Sequence, residues 1–229
     1  MFGKKKYLDN KRDTVYCPIR ESMCSIAEIC PAAGKDDDYQ GLALLIGVAE
    51  DETWRQFAEI MPDTYFVLAE LDGESLDTQI KRARKAGIEN FGVKQVSGSG
   101  VPFSDKMFKR IESHYVLTSQ GSRGKVRFAK PILDEYFRVL DDDGVLLISG
   151  ELRIKGGDEE DYVKELHAYL EGKRKEGYTV GMHTMPLSET GTYYGQVNIT
   201  YYISKDKAAL KRELNRVKKV YGLKDVELK

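Results

Sequence analysis

The succession of strands and helices after residue 41 restricts the fold of this chain more than any other feature. Five predicted strands belong to strand–helix units, and two further strands at the end are joined with no helix between them. Strands connected through helices run parallel, whereas the closing two must pair antiparallel or lie apart. The sequence therefore predicts an α/β domain with a doubly wound seven-stranded sheet, mostly parallel, whose C-terminal antiparallel hairpin is its only antiparallel pair. The predicted strands are 42–47, 64–71, 90–96, 109–117, 144–150, 178–185 and 196–204.

The first strand–helix unit shows the pattern clearly. Residues 42–47 read Leu-Ala-Leu-Leu-Ile-Gly, a continuous apolar run that is typical of a strand buried on both faces. Trp54, Phe57 and Met61 then follow at helical spacing, and Pro62 ends the helix. Such a unit places its polar loops at one edge of the sheet, where open α/β sheets bind their ligands.

The composition is that of a globular protein. The chain has 229 residues, of which 41% are hydrophobic and 32% charged, which suits one α/β domain. No apolar run approaches the roughly 18 residues that cross a bilayer, and the basic start precedes no secretory apolar stretch, so we expect no membrane span and a cytoplasmic location. The net charge of −1 does not favour nucleic acid as a partner. The basic residues of the last helix are more typical of a solvated face.

Residues 1–40 differ from the rest and are predicted to form an N-terminal extension or cap, ahead of an α/β domain over 41–229. They hold all three cysteines, Cys17, Cys24 and Cys30. Three is an odd number for disulfides, and a zinc site would need a fourth ligand. We therefore predict small, half-buried apolar residues and no metal site.

Two segments carry a family resemblance. Residues 101–105 read Val-Pro-Phe-Ser-Asp with Phe108 following, and residues 138–140 read Arg-Val-Leu with Gly144 following. In this order they resemble the class I S-adenosylmethionine-dependent methyltransferases, most closely the small-molecule branch that includes ubiquinone and menaquinone biosynthesis enzymes. The resemblance covers about residues 40–204. It implies a Rossmann-like fold, S-adenosylmethionine as cofactor and methyl transfer to a small molecule.

The resemblance also assigns the cofactor loop, which departs from the family pattern. The family's first strand ends in a Gly-x-Gly-x-Gly turn, in which glycine lets the backbone approach the cofactor. Here Gly47 keeps the first glycine, Ala49 replaces the second and Asp51 replaces the third. Leu45 stands where the family usually has an acidic residue. The loop is therefore expected to be degenerate, and Asp51 also suits a helix N-cap.

The end of the second predicted strand fits the family better. Glu70 is in register with the acidic residue that accepts hydrogen bonds from ribose hydroxyls, and Asp72 is the alternative. Ser97 takes the position of an adenine-contacting aspartate. The residues predicted to bind the cofactor are Gly47, Ala49, Glu70, Leu71, Ser97, Gly98 and Ser113.

The catalytic group is sought at the end of the fourth predicted strand. Methyl transfer depends mostly on orientation, with a base only where the acceptor must lose a proton. His114 would face the cleft there and could serve as that base, while a hydrogen-bonded structural role is the alternative. His183 is a weaker second candidate.

Three functions remain open from the sequence. The first is a methyltransferase acting on a small molecule, and the second is a catalytically inactive methyltransferase-fold protein that serves as a binding or partner subunit. The third is an RNA methyltransferase, which rests on the basic last helix. Homo-oligomerisation stays open as well.

Overall fold

The structure is a computed structural model that describes residues 7, 11–29, 41–48, 53–96, 100–114, 130–153, 157–186, 196–221 and 227–228. It divides into two compact units. The first unit comprises residues 1–112 with 138–141, and the second comprises residues 113–137 with 142–229. The predicted boundary at residue 40 stays a prediction.

The first unit holds the β-strands and helices that precede residue 112. Its elements are β1 (Thr14–Cys17), β2 (Ser22–Ser25), α1 (Ile26–Ile29), β3 (Leu42–Ile46), α2 (Thr53–Ile60), β4 (Tyr65–Glu70), α3 (Gly73–Lys85), β5 (Phe91–Gln95) and most of β6 (Phe108–His114). The strand order within this unit is β6-β3-β4-β5-β1-β2. Strands β3, β4 and β5 are parallel, whereas β1 pairs antiparallel with both β2 and β5.

The helices of this unit form where the apolar spacing predicts them. Trp54 and Phe57 of α2 are buried, and the Trp54 ring lies 5.5 Å from the Phe91 ring of β5. The Trp54 indole donates to Gln79 Oε1 at 2.9 Å, so its one polar atom is satisfied inside the core. Helix α3 ends at a glycine in the C′ position, because Gly87 adopts the left-handed φ of +72° that closes a helix.

The second unit carries the C-terminal elements. They are α4 (Lys130–Val139), β7 (Leu140–Arg153), α5 (Gly157–Lys175), β8 (Thr179–Pro186), β9 (Gln196–Ser204), α6 (Lys207–Tyr221) and β10 (Glu227–Leu228), of which α4 and β7 also contribute residues 138–141 to the first unit. The strand order is β10-β8-β9-β7, and each neighbouring pair is antiparallel. The predicted antiparallel pairing of the last two long strands is therefore confirmed.

The predicted count of seven strands is wrong, because the described residues form ten. The additional strands are β1, β2 and β10, which have four, four and two residues. Strands β1 and β2 lie within residues 1–40, which the sequence pattern assigns to an extension or cap, and β10 has only two residues. The hairpin β8–β9 is consequently not the only antiparallel pair.

Residues 141–144 read Asp-Asp-Asp-Gly, a combination typical of turns that predicts a helix-to-strand connection, yet they lie in a strand. Helix α4 ends at Val139 and β7 starts at the next residue, so the three aspartates belong to the strand. In the second unit the Ser204 hydroxyl donates to the Gly144 carbonyl at 2.7 Å and holds that part of β7 extended. None of the helices that the structure describes combines the length and apolar character needed to span a membrane.

Candidate functional site

The turn after β3 depends on a glycine. Gly47 has a φ of +74°, a left-handed conformation that glycine adopts without steric cost. Its N–H donates to the Ala69 carbonyl of β4 at 3.1 Å, which fixes the turn beside the end of the neighbouring strand. Ala49 and Asp51, the next two positions of the predicted loop, lie outside the described residues.

Glu70 and Leu71 come together at the carboxyl end of β4. Glu70 is half-buried, and its Oε1 accepts from the Leu71 N–H at 2.7 Å. Leu71 leaves 61% of its surface exposed. Gln95, the last residue of β5, donates from Nε2 to the Leu71 carbonyl at 3.0 Å. This edge therefore offers a carboxylate and an apolar side chain held by backbone contacts.

Asp72, the alternative to Glu70, is the N-cap residue of helix α3. Its carboxylate caps α3 by accepting from the N–H groups of Glu74 and Ser75 at 3.2 and 3.0 Å. These hydrogen bonds hold the pKa of Asp72 below its usual value. The Asp72 carboxylate therefore has a structural role at the start of α3. Ser97 and Gly98, the remaining positions predicted near this edge, lie outside the described residues.

The two segments that carry the family resemblance meet through one side chain. Arg138, which belongs to the first unit, donates from Nη1 to the Phe103 carbonyl at 2.8 Å and to Asp105 Oδ1 at 2.6 Å. Its Nη2 donates to the Val101 carbonyl at 3.0 Å. Arg138 thereby fixes the loop that follows β5, a role that the sequence pattern alone did not reveal.

Asp13 holds the same loop from the N-terminal side. Its carboxylate accepts from the Ser104 N–H at 2.7 Å and from the Ser104 hydroxyl at 2.6 Å. The Asp13 N–H in turn donates to the Pro102 carbonyl at 3.1 Å. Sequence analysis missed this residue, because nothing at position 13 indicates a partner more than 90 positions away.

The end of β6 points its last two side chains to opposite faces, as strand geometry requires. The Ser113 hydroxyl donates to the hydroxyl of Tyr136 at 3.4 Å, and both residues are buried. Burial raises the pKa of Tyr136 to about 12. The predicted contact of Ser113 with the cofactor stays a prediction, and the observed role of its side chain is to pair with Tyr136.

His114 is half-buried and lies on the other face of β6. Its Nδ1 is 3.2 Å from the Ser149 hydroxyl of β7, which orients the ring. His167 of α5 has a different partner, since its Nε2 is 2.7 Å from the hydroxyl of Tyr201. The two rings also pack against each other with their centroids 5.8 Å apart, and burial raises the pKa of Tyr201 to about 12. Within the described ranges no group of three metal-ligating side chains comes together, and Cys17 and Cys24 are buried thiols.

Comparison with solved structures identifies the fold. No protein-family model matches the chain, and no curated protein matches it. Among solved structures, a SAM-dependent methyltransferase from Aquifex aeolicus is similar with a TM-score of 0.52 at 16% identity, over 82% of this chain and 89% of that one. The chain therefore has the fold found in S-adenosylmethionine-dependent methyltransferases.

Two further structures show what this fold accommodates. Phosphoethanolamine N-methyltransferase 2 from Haemonchus contortus, in complex with S-adenosyl-L-methionine, has a TM-score of 0.53 at 13% identity, over 78% of this chain and 51% of that one. The [4+2]-cyclase SpnF has a TM-score of 0.54 at 13% identity, over 78% of each chain. A shared fold at such identities does not define the reaction.

Proposed function

We propose that this protein is an S-adenosylmethionine-dependent methyltransferase that acts on a small molecule. The observation that carries the proposal is the pairing of half-buried Glu70 with exposed Leu71 at the carboxyl end of β4, beside the Gly47 turn. In open α/β sheets this edge binds nucleosides, with an acidic residue on the ribose. The neighbour that carries S-adenosyl-L-methionine supports the choice of ligand.

The residues present at this edge suit that cofactor. Glu70 would accept hydrogen bonds from the ribose hydroxyls, and Leu71 would give the adenine an apolar surface. Gly47 would let the backbone come close to the methionine part, with Ala49, Ser97, Gly98 and Ser113 as further proposed contacts. When bound, the cofactor supplies a methyl group on a sulfonium that a nucleophile can accept.

His114 is the proposed base of the second unit. The Ser149 hydroxyl at 3.2 Å from Nδ1 fixes the ring, so that His114 would take the proton from an acceptor that loses one. The residue is half-buried.

The finer assignments belong to the same proposal. The segments joined by Arg138 support the small-molecule branch that resembles ubiquinone and menaquinone biosynthesis enzymes. The buried thiols Cys17 and Cys24 support a reducing, cytoplasmic setting. We further propose that residues 1–40 are an N-terminal extension of a methyltransferase-like domain over 41–229. The proposal holds for a monomer and for a homo-oligomer alike.

A second candidate function is a methyltransferase-fold protein without methyl transfer. Leu45, at the position of the family's acidic residue, is 1% exposed within β3 and offers no carboxylate there. The similarity to a [4+2]-cyclase supports this alternative, because a protein of the same fold is described by another reaction. The basic residues of α6 give little support to RNA as substrate, since Arg216 and Arg212 face Glu213 and Asp206 at 3.6 and 3.9 Å.

Calorimetric titration with S-adenosylmethionine tests the main proposal. We expect the native chain to bind and Glu70→Ala to bind about tenfold more weakly, because a charged acceptor to the ribose is lost. Glu89→Ala is the matched control, since Glu89 is exposed and precedes β5 at the opposite edge of the sheet. It should bind like the native chain.

Each outcome has a separate meaning. Absence of binding by the native chain would contradict the cofactor and favour the second candidate function. Binding that is equal in the native chain and in Glu70→Ala would keep the cofactor and remove Glu70 from its site.

A further inference from the structure

Three polar side chains of the second unit stand in one row across neighbouring strands. Ser149 of β7 lies directly opposite Thr200 of β9, and Thr200 lies directly opposite His183 of β8. Directly opposite residues of antiparallel strands share a face of the sheet. All three are half-buried, so the row is partly open to solvent.

The row marks a change along this face of the sheet. Two positions earlier on β7 and two later on β9, Leu147 and Tyr202 pair with each other and are buried. Side chains two positions apart on a strand share its face. The face is therefore apolar and covered up to Leu147 and Tyr202, and polar and accessible at Ser149 and Thr200.

His114 extends the row to a fourth strand. The Ser149 hydroxyl lies 3.2 Å from His114 Nδ1, so β6 joins β7, β9 and β8 in presenting polar groups. At roughly 4.8 Å between neighbouring strands, the outer two strands of the row are about 14 Å apart. Imidazoles therefore stand at both ends, with two hydroxyls between them.

His183 has one atom that the fold leaves unsatisfied. Its Nε2 is buried and has no hydrogen-bond partner among the residues that the structure describes. A buried polar atom without a partner costs free energy that a ligand can recover. His167, the other histidine of this hairpin region, has its Nε2 paired with Tyr201 on the opposite face.

We infer that His114, Ser149, Thr200 and His183 form the acceptor-binding row, and that the acceptor is an elongated molecule with hydroxyl groups at both ends. Imidazoles and hydroxyls both donate and accept, which is what a bound hydroxyl group needs. One hydroxyl would meet His114, where methyl transfer is proposed, and the other would meet His183. This inference rests on the proposed function only for the reaction, since binding to the row can be measured by itself.

Nuclear magnetic resonance of the imidazoles tests the row directly, because the chain has only three histidines. The probe is 4,4′-dihydroxybiphenyl, and the control compound is 4-hydroxybiphenyl, which lacks one of the two hydroxyls. We expect the diol to shift the ring signals of His114 and His183 and to leave those of His167 unchanged. No shift at His183, or a shift confined to His167, would overturn the inference.

A variant pair supplies the second measurement. His183→Ala should weaken diol binding about tenfold and binding of 4-hydroxybiphenyl only slightly, because a single hydroxyl can still meet the His114 imidazole at the other end. His167→Ala, on the opposite face, should bind both compounds as the native chain does. Equal loss for both compounds in His183→Ala would overturn the two-ended row.

Titration of the native chain with S-adenosylmethionine separates the two proposals. If the chain binds S-adenosylmethionine but the diol does not shift the His183 ring signals, the row is refuted and the methyltransferase proposal stays intact. If the diol shifts the His183 ring signals but the chain does not bind S-adenosylmethionine, the row stays a binding site and methyl transfer is refuted.

Discussion

The parallel strands β3–β5 and the N-terminal hairpin β1–β2 meet at β5, yet different forces hold them. All five residues of β3 are buried, and β4 is buried up to its last residue. In the hairpin, three of the four residues of β1 are buried, but β2 has only one buried residue, Cys24. The strands β3–β5 are thus stabilised by non-directional apolar burial, and the hairpin needs additional directional contacts.

Side-chain hydrogen bonds supply those contacts. Lys94 of β5 is fully buried, and its Nζ donates to the Lys11 carbonyl and the Thr14 hydroxyl, both at 3.1 Å. Asp13 binds Ser104, and Arg84 of α3 reaches Glu21 at 3.0 Å. Apolar burial tolerates many sequences, whereas these pairs depend on particular residues at particular positions.

The largest effect is expected in the parallel strands. Leu68 of β4 is fully buried, and Leu68→Ala should lower the free energy of unfolding by about 2–5 kcal/mol, from lost burial and a cavity. Leu71→Ala is the matched control, because Leu71 is 61% exposed, and should stay within about 0.5 kcal/mol. Urea unfolding measures both. Similar losses in the two variants would contradict the distinction.

A smaller effect is expected where the hairpin is anchored. Asp13→Ala removes two hydrogen bonds to Ser104 and places alanine at a φ of +56°, so it should cost about 2–3 kcal/mol. Asp13→Asn should cost less, because asparagine tolerates this conformation and keeps one acceptor. Urea unfolding again gives the comparison. If alanine and asparagine were equivalent, the anchoring role of Asp13 would be wrong.

The smallest effect is expected at the exposed ion pair of the hairpin. Arg84 and Glu21 are 3.0 Å apart, with 51% and 69% of their side chains exposed. Solvent screens such a pair, so Glu21→Gln should change the free energy of unfolding by no more than about 0.5 kcal/mol. A loss above about 1 kcal/mol, removed by added salt, would show that this pair helps to anchor the hairpin.

The same difference explains what could be predicted from the sequence. The strands predicted at 42–47, 64–71 and 90–96 are confirmed as β3, β4 and β5 within one residue at each end. The first two are mainly apolar runs, which signal buried strands. Strands β1 and β2, of four residues each, went unpredicted. The contact of Asp13 with Ser104 went unpredicted as well, because the two residues are distant in the sequence.

The candidate site divides in a similar way. The resemblance drew attention to Glu70 and Asp72 at the end of β4. Only the structure shows that Asp72 caps α3, because a helix cap is recognised by its geometry. The row of Ser149, Thr200 and His183 depends on strand register. A slip of one residue would turn each side chain to the other face, and no single sequence fixes that.

The position of Arg138 has a consequence for synthesis on the ribosome. Its guanidinium and the backbone carbonyls of Arg138 and Val139 bind residues 101–107, although residues 113–137 in between belong to the second unit. At about 5–20 residues per second, translation takes roughly 1–5 s to proceed from residue 112 to residue 138. During that interval the loop after β5 has Asp13 available to it but lacks the contacts of Arg138. The emerging chain therefore completes its first unit only after it has begun to make the second.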